Sequence, residues 1–254
     1  EDALVAANVL AAADLHGVPA QGLAQLDPYY GSRIRQGMID PATPLRIITE
    51  SPITLALDAG NGLGPVAAYQ AMKRCIQKAG ESGFAIVAVG NNNHCGFAAY
   101  YAMLALEHNL LGISSTQIQP PAAPAPEAGP ARGMVMALPG GQPQPLVMDM
   151  AAGDIPGLPA VAGVPDELLG DALWAGMPGA AQGQEGHCFA ASRVGADYQP
   201  GQLMRQLEGT GEPSRQKACV HSAEEFENAE RCRRSGLPLA ESTVEALRQS
   251  AQQA

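Results

Sequence analysis

The sequence predicts an α/β protein, with alternating strands and helices in the middle of the chain and further helices at both ends. Three observations support this fold class. From Pro52 onward, short runs of branched apolar residues alternate with longer helical segments. Helical apolar spacing occupies the first fifteen residues, and two capping-box patterns follow residue 221. With 46% hydrophobic and 16% charged residues, a chain of 254 residues can bury a large core.

The N-terminal part is predicted to be helical. Residues 2–15 carry apolar side chains at helical spacing, Leu4 among them, and Gly17 follows, so we expect an amphipathic helix. A second helix is predicted over about 20–36. It would stop at Gly37, because glycine enters the left-handed region at little cost.

The central and C-terminal elements are predicted from the change in rhythm along the chain. Residues 119–145 are rich in Pro, Gly and Ala, which predicts an irregular surface segment or a flexible excursion. Ser222–Glu225 and Ser242–Glu245 match capping boxes that open two helices separated by Gly236. The other predicted elements are strand 53–58, helix 65–79, strand 84–89, helix 97–108, strand 110–115, a strand at "PLVMDM", a helix at "DELLGDALWAGM" and a strand at "GHCFAASR".

Charge and composition exclude several classes of protein. A net charge of −10 leaves no basic surface for phosphates, so a nucleic-acid partner is not expected. No apolar run reaches the roughly 18 residues of a membrane span, and the N-terminal residues have no basic signal region. The five cysteines have no framework spacing, which predicts free thiols and a cytoplasmic protein.

Familiar chemical motifs are absent from the sequence. Gly60, Gly62 and Gly64 lie between a strand and a helix, but a dinucleotide fingerprint needs glycine where this chain has Pro65. We therefore predict a tight turn and a helix start there. Adjacent His and Cys residues on a strand point to opposite faces, so no metal site is predicted. The remaining histidines are interpreted as a strand residue, His187, and as the surface residues His108 and His221.

The stretch "GNNNHCG" at 90–96 is the most distinctive local feature. His94 follows a predicted buried strand and precedes a helix, which is where open α/β folds place ligands. A helix N-terminus favours a neutral imidazole, which can exchange a hydrogen bond with a carbonyl oxygen. The residues alone leave two interpretations open: a functional histidine, or one that stabilises the loop.

Six ordered segments together carry a family resemblance. The chain resembles the malate/L-lactate dehydrogenase-like family, which includes sulfolactate and ureidoglycolate dehydrogenases, diketogulonate reductase and cyclic imino-acid reductases. The resemblance is specific over 1–117 and patchy afterwards. The segments are "DLHGVPAQGLAQL" (14–26), "ALDAGNGLGPVAAYQAM" (56–72), "VGNNNHCGFAAYYAMLA" (89–105), "LLGISSTQ" (110–117), "LVMDMA" (146–151) and "SGLPLAESTVEALRQ" (235–249).

The resemblance implies a fold and an activity. It implies a non-Rossmann NAD(P)-binding α/β domain with a mixed sheet, here residues 51–221 and shortened after residue 151. A helical domain would be built from both chain ends, 1–50 plus 222–254, and the protein would be a homodimer. Family members move a hydride between nicotinamide and a carbon next to a carboxylate, so a small 2-oxo acid, 2-hydroxy acid or cyclic imino acid is the implied substrate.

The resemblance also implies the site residues. His94 matches the histidine of the family's N-x-x-H-F-G loop, an acid/base or substrate contact, and Asn92 belongs to the same loop. The family's D-S-H-G-x-x-R signature, with a substrate histidine and a carboxylate-binding arginine, is matched by residues 19–22 and 25, which place Gln21 and Gln25 at those two positions. The implied cofactor-binding residues are Thr116, Asp149, Met150 and Ala151.

The departures from the family bear on the chemistry. Glutamine neither shuttles protons nor forms a charged bidentate clamp. No lysine lies between Lys78 and Lys217, so the family's cofactor-contacting lysine is missing, and Arg132 would have to replace it. Three hypotheses follow: an NAD(P)-linked reductase of an unusual small substrate, a cofactor-independent enzyme using His94 for cyclisation, elimination or isomerisation, or a non-catalytic dimeric homologue.

Overall fold

The computed structural model describes residues 1–118, 131–140, 145–149, 185–195, 219–220 and 223–253. These residues include eight strands: β1 (Arg46–Glu50), β2 (Thr54–Asp58), β3 (Phe84–Asn92), β4 (Leu110–Ile118), β5 (Ala131–Leu138), β6 (Leu146–Asp149), β7 (Glu185–Arg193) and β8 (Cys219–Val220). The strands form one sheet in the order β1-β2-β3-β7-β4-β5-β6-β8. Of these neighbours, β2 and β3 are parallel and the others are antiparallel. The mixed, non-Rossmann α/β fold is therefore confirmed.

Two helices in the middle of the chain cover one face of this sheet. The edge-to-face ring pair of Tyr101 and Phe189, with centroids 5.7 Å apart, joins one of them to β7. A Cβ on Gly112 of β4 would lie 2.2 Å from the Ala102 carbonyl oxygen, so only glycine allows this close approach. The helices are α1 (Asp2–Leu15), α2 (Ser32–Arg35), α3 (Gly64–Ser82), α4 (Ala98–Leu104), α5 (Ala223–Ser235) and α6 (Glu241–Gln253).

The core lies between the sheet and α3 and α4. Val87 and Val89 of β3 and Met72 of α3 are fully buried in it. Each such side chain contributes about 1.5 to 3 kcal/mol through burial. This packing fixes the carboxyl end of β3 relative to both helices.

The structure corrects two sequence predictions for the strands of the sheet. β3 runs through Asn92 rather than ending at Val89, because the Asn92 backbone still pairs with Glu185 of β7 beyond a bulge. The expectation of an irregular segment over 119–145 was wrong for 131–138, which is strand β5 between β4 and β6. The predicted helix at "DELLGDALWAGM" lies outside the described residues.

The prediction of one helix over 20–36 was wrong. Short 3₁₀ turns (Pro19–Gln21 and Leu23–Gln25) precede a π-helical turn (Leu26–Gly31) and the short α2. Gly22 is extended, with φ −94° and ψ −161°, which interrupts the helix. Pro28 lacks an N–H donor, so a regular α-helical ladder cannot pass it.

The two chain ends pack against each other. The Asn228 amide donates to the Leu15 carbonyl oxygen at 3.0 Å, and the Phe226 ring lies edge-on to His16 at 5.4 Å. Residues of the 23–28 turns and of α6 line a shared cavity of about 160 Å³. β1 lies before the boundary at residue 50 that was predicted for the helical unit, and it belongs to the sheet.

Details at the chain ends differ from the predictions. Leu4 is 65% exposed rather than in the core. Ser242 lies in the first turn of α6, not at its cap, because the Val244 N–H already bonds to the Ala240 carbonyl oxygen. The predicted break at Gly236 is confirmed by its φ of +98°. Within the described ranges, every helix is too short or too polar to cross a membrane.

Candidate active site at the carboxyl end of β3

His94 lies in the loop between β3 and α4, as predicted, and is half-buried. The Tyr29 ring packs against its imidazole, with centroids 5.3 Å apart and planes at 65°. Tyr29 comes from the π-helical turn of the N-terminal segment. The histidine therefore lies where the sheet end meets that segment.

Three successive carbonyl groups of this loop are held by three side chains from different elements. His187 Nε2 on β7 lies 3.1 Å from the Asn93 carbonyl oxygen. The Tyr30 hydroxyl donates to the His94 carbonyl oxygen at 3.2 Å, and the Tyr101 hydroxyl of α4 donates to that of Cys95. We call these three hydrogen bonds the carbonyl clamp. Burial raises the pKa of Tyr101 well above its ordinary value, so this hydroxyl remains a donor.

Two of the three asparagines also stabilise the loop. The Asn93 amide donates to Asn61 Oδ1 at 2.9 Å and to the Gly62 carbonyl oxygen at 3.0 Å. Asn91 has a left-handed φ of +52°, which asparagine tolerates, and its amide donates to Asp58 Oδ1 at 2.9 Å. These bonds tie the loop to the turn after β2.

Asp58 is the anchor of that turn. Its burial raises the pKa, but hydrogen bonds from the Gly60 N–H and Asn91 and the charge of Arg46 outweigh this, so the net pKa is lowered. The carboxylate is therefore ionised and accepting at neutral pH. The interpretation of the glycine-rich segment as a turn that starts a helix is confirmed, since Pro65 is in the first turn of α3.

Gly64 has a further role that the sequence did not reveal. A Cβ at this position would lie 2.1 Å from the His94 carbonyl oxygen and 2.4 Å from that of Asn93. The first turn of α3 therefore packs directly against the backbone of the His94 loop. Any larger residue would displace either the helix or the loop.

Asn92 differs from its neighbours. Its side chain is 1% exposed, and neither its amide nitrogen nor its amide oxygen has a hydrogen-bond partner among the described residues. Buried polar groups are nearly always paired in native proteins, so an unpaired donor and acceptor call for an explanation, such as a functional role or a bound water. Asn92, two residues before His94 in the chain, thus has hydrogen-bonding capacity that the described residues do not meet.

Thr116 of β4 lies at the same end of the sheet. It is opposite His187 in the strand register, and its Oγ1 lies 3.1 Å from His187 Nδ1. Cys95 Sγ is 3.9 Å from the same oxygen. His187 thus links the predicted cofactor residue Thr116 to the loop that carries His94, a role that its interpretation as a strand residue did not anticipate.

Of the other predicted cofactor residues, the structure describes Asp149 alone. Asp149 ends β6 opposite Val135 of β5, which in turn faces Ser114. Alternate strands lie about 10 Å apart, so the backbone of Asp149 lies about that far from β4, at the end of the sheet that carries Thr116. Met150 and Ala151 lie outside the described residues.

The substrate-side glutamines lie on the two 3₁₀ turns. Gln21 and Gln25 are both half-buried and sit one turn apart on either side of Gly22. The Asp14 carboxylate accepts from the Leu23 N–H at 2.7 Å, and a Cβ on Gly22 would lie 2.4 Å from that carboxylate. Burial raises the pKa of Asp14, and the Leu23 hydrogen bond partly offsets the rise. Aspartate and glycine thus set the path of this backbone.

The described residues also include potential metal-binding and redox groups. In the described part of the chain, no three His, Cys, Asp or Glu side chains are grouped to hold a metal ion. Four cysteines are buried free thiols, and burial raises the pKa of Cys75 and Cys188 to about 12. His108 is exposed, as predicted, and His221 lies outside the described residues.

Comparisons with known proteins agree with this architecture. The malate/L-lactate dehydrogenase family matches residues 1–157, more than half of the chain. A malate dehydrogenase from Pyrococcus abyssi is 43% identical over 124 residues, 49% of this chain and 34% of that protein. An NAD(+) ureidoglycolate dehydrogenase from Escherichia coli O157:H7 is 32% identical over 154 residues, 59% of this chain and 44% of that protein.

The matched part thus spans under half the length of these curated relatives. The structure of malate dehydrogenase from Pyrococcus horikoshii superimposes with a TM-score of 0.72 at 23% identity, over 99% of this chain and 88% of that chain. The shared fold confirms the architecture, and the family match covers His94, Gln21, Gln25, Thr116 and Asp149. The chain belongs to the malate/L-lactate dehydrogenase family.

Proposed function

We propose that this protein is an NAD(P)-linked oxidoreductase that interconverts a small 2-oxo acid or cyclic imino acid with its reduced form. The carbonyl clamp is the observation that carries the proposal. It anchors the backbone of the half-buried His94 at a sheet end that also bears Thr116 and Asp149. A catalytic group must be held in one geometry relative to the reacting atom, and this loop meets that need.

His94 is assigned the acid/base role. In the reductive direction its protonated imidazolium gives a proton to the oxygen or nitrogen of the substrate, and in the oxidative direction the neutral imidazole takes that proton back. When bound, the nicotinamide supplies or accepts the hydride at the adjacent carbon. Packing of the Tyr29 ring against His94 limits rotation of the imidazole and shields one side from water.

The described residues fit the nicotinamide end of the cofactor. A carboxamide has both a donor and an acceptor, and Asn92 offers a buried amide with the same two kinds of group, unpaired among the described residues. Thr116 adds a half-buried hydroxyl at this sheet end. We assign Asn92 and Thr116 as candidate contacts of the ligand head group, with Asp149 further along the sheet and Met150 and Ala151 beyond it in the chain.

The two glutamines on the 3₁₀ turns favour a substrate whose carboxylate is not held by a charged side chain. Gln21 and Gln25 supply neutral donors and acceptors where the family signature has histidine and arginine. Arginine offers a carboxylate two parallel hydrogen bonds and an opposite charge, whereas the amide of glutamine carries no charge. We therefore propose that kcat/KM for simple 2-oxo acids is low. The preferred substrate would present neutral hydrogen-bond donors and acceptors to the two glutamine amides.

Cofactor binding tests this proposal directly. A Kd of about 0.1 mM would raise the free energy of unfolding by about 1.4 kcal/mol at 1 mM NADH or NADPH. For a chain of this size that corresponds to a Tm rise of roughly 3 to 6 °C. His94→Ala should retain the shift, because the histidine acts on the substrate. Absence of any shift at millimolar concentrations of both cofactors would refute the proposal, and turnover without cofactor would instead favour acid/base chemistry by His94 alone.

Two further features belong to the proposal. We propose a cytoplasmic homodimer that acts on small molecules, in line with the family resemblance. Light scattering after size exclusion should give a mass of twice 26.2 kDa. A mass of 26.2 kDa at micromolar concentration would contradict the dimer.

A further inference from the structure

His187 lies between the two halves of the candidate site without having been predicted as part of it. It is fully buried on β7, the strand between β3 and β4. Its register partners are Val89 on one side and Thr116 on the other. His187 therefore contacts both the loop that carries His94 and the strand that carries Thr116.

The chemistry of Asn93 and Thr116, two of its partners, sets the direction of the hydrogen bonds to them. The Asn93 carbonyl oxygen can only accept, so His187 Nε2, 3.1 Å away, must carry a proton. A fully buried imidazole is less costly uncharged than charged. The neutral ring with a proton on Nε2 has an acceptor at Nδ1, so the Thr116 hydroxyl, 3.1 Å away, must donate to it.

This direction determines what Thr116 offers to a ligand. Its only proton is directed at His187, so the Thr116 oxygen presents lone pairs alone. The Cys95 thiol, 3.9 Å away, is a weak donor that can occupy one of them. A group that meets Thr116 must therefore bring an N–H or O–H.

We propose that His187 is a positioning residue that holds the Asn93 carbonyl and orients the Thr116 hydroxyl, so that Thr116 accepts a hydrogen bond from the ligand. Under the proposed function, on which the identity of the ligand rests, the matching group is the carboxamide NH₂ of nicotinamide. Cofactor selection at this point would depend on a buried histidine that does not touch the cofactor.

The first test needs no ligand. Long-range ¹H–¹⁵N spectra of protein labelled with ¹⁵N-histidine distinguish the two neutral tautomers and the imidazolium. The His187 signals are assigned with His187→Asn, and His108→Asn, at an exposed histidine, is the matched control. The proposal expects the neutral tautomer protonated on Nε2. A proton on Nδ1, alone or in the imidazolium, would make Thr116 a donor toward the ligand and overturn the proposal.

The second test compares two reduced dinucleotides. NADH has the carboxamide NH₂, whereas the 3-acetylpyridine analogue has a methyl group in its place. Wild-type protein should bind NADH about tenfold more tightly than the analogue, as expected for one hydrogen bond. Thr116→Val should bind both equally, and Thr116→Ser should restore the preference. A preference that survives Thr116→Val would overturn the assignment of Thr116 as acceptor.

Two variants of His187 separate its two contacts. His187→Asn places an amide oxygen near the Nδ1 position and should keep the NADH preference while loosening the loop, seen as a lower kcat. His187→Gln places an amide N–H near the Nε2 position and should keep the loop but lose the preference. Equal effects of both variants on both readouts would indicate a merely structural role and contradict the proposal. If wild-type protein binds neither dinucleotide, the proposed function fails, while the tautomer still decides the role of His187.

Discussion

The His94 loop and the substrate-side segment 19–31 face each other but are built in different ways. The loop is held by the carbonyl clamp, by asparagine hydrogen bonds and by close packing on Gly64. The segment is held through its backbone, where Asp14 accepts from the Leu23 N–H beside Gly22. Because neither anchor uses the side chains of Gln21 or Gln25, these two positions could change without loss of the fold.

Under the proposed function, this difference bears on how the site departs from the family signature. On the loop side, the hydrogen bonds that support His94 involve the backbone around the histidine itself. On the segment side, the supporting contact from Asp14 does not involve the side chains of Gln21 and Gln25. We therefore propose that the groups that recognise the substrate changed while the acid/base group stayed.

The largest expected effect is on the loop side. His94→Ala should lower kcat by about 10² to 10⁴, the usual contribution of a positioned acid/base, with little change in the free energy of unfolding. NADH oxidation with a turned-over 2-oxo acid or cyclic imine measures kcat. His108→Ala, at an exposed histidine on the other end of the sheet, is the control. Unchanged kcat in His94→Ala would remove the histidine from the chemistry.

Substitutions in the segment 19–31 should increase activity with 2-oxo acids. Gln21→His together with Gln25→Arg restores the family's proton carrier and charged clamp on an intact backbone. A charge-assisted bidentate contact should raise kcat/KM for 2-oxo acids by about 10- to 100-fold, mainly through KM. Steady-state kinetics with pyruvate-like acids tests this. A double variant that folds but shows no gain in kcat/KM would contradict the idea that the side chains at positions 21 and 25 act on the substrate independently of the backbone contacts.

Packing beneath the loop gives a third test. Gly64→Ala forces a methyl group against the carbonyl oxygens of Asn93 and His94 and should cost about 1 to 3 kcal/mol of stability. Gly80→Ala on the same helix is the matched control, because its Cβ would meet no atom within 4 Å. The control should be neutral or slightly stabilising, since alanine favours helix. Urea denaturation compares the two, and equal stabilities would contradict the close contact.

The smallest effect concerns one bond of the carbonyl clamp. Tyr101→Phe leaves the Cys95 carbonyl without its donor and should lower the free energy of unfolding by about 1 kcal/mol at pH 7. The raised pKa of Tyr101 means that the folded state keeps this proton when the unfolded chain has lost it. Stability from this group is therefore complete below pH 10 and falls as the pH rises further.

Denaturation curves at increasing pH check this fourth prediction. The difference between wild type and Tyr101→Phe should narrow above pH 10, because only the wild type loses stability through ionisation of Tyr101. A difference that stays constant up to pH 11 would contradict the buried, neutral hydroxyl.

Sequence reasoning succeeded where local patterns determine structure. Alternating apolar runs located β2, β3, β4, β6 and β7, and the position of His94 followed from them. It failed at 131–138, where proline-rich neighbours hid a strand that pairing with β4 and β6 stabilises. It also failed over 20–36, where a tertiary contact from Asp14 outweighs helix propensity.

The candidate site could be predicted only in part, because some of its residues depend on contacts between distant parts of the chain. His94 carries a local signature, whereas His187 acquires its role only when β7 pairs with β3 and β4. Gly64 likewise looked like a turn residue, because the loop it contacts is about thirty residues away in the sequence. Non-local contacts of this kind leave no mark in a single sequence.

Isotope transfer tests the central claim most directly. The protein is mixed with NADH or NADPH deuterated at the transferred position of the nicotinamide and with candidate 2-oxo acids and cyclic imines. The account predicts a product that carries deuterium on the carbon next to the carboxylate, formed at least about a hundredfold more slowly by His94→Ala. A product formed equally fast without cofactor, or one free of deuterium, would contradict it.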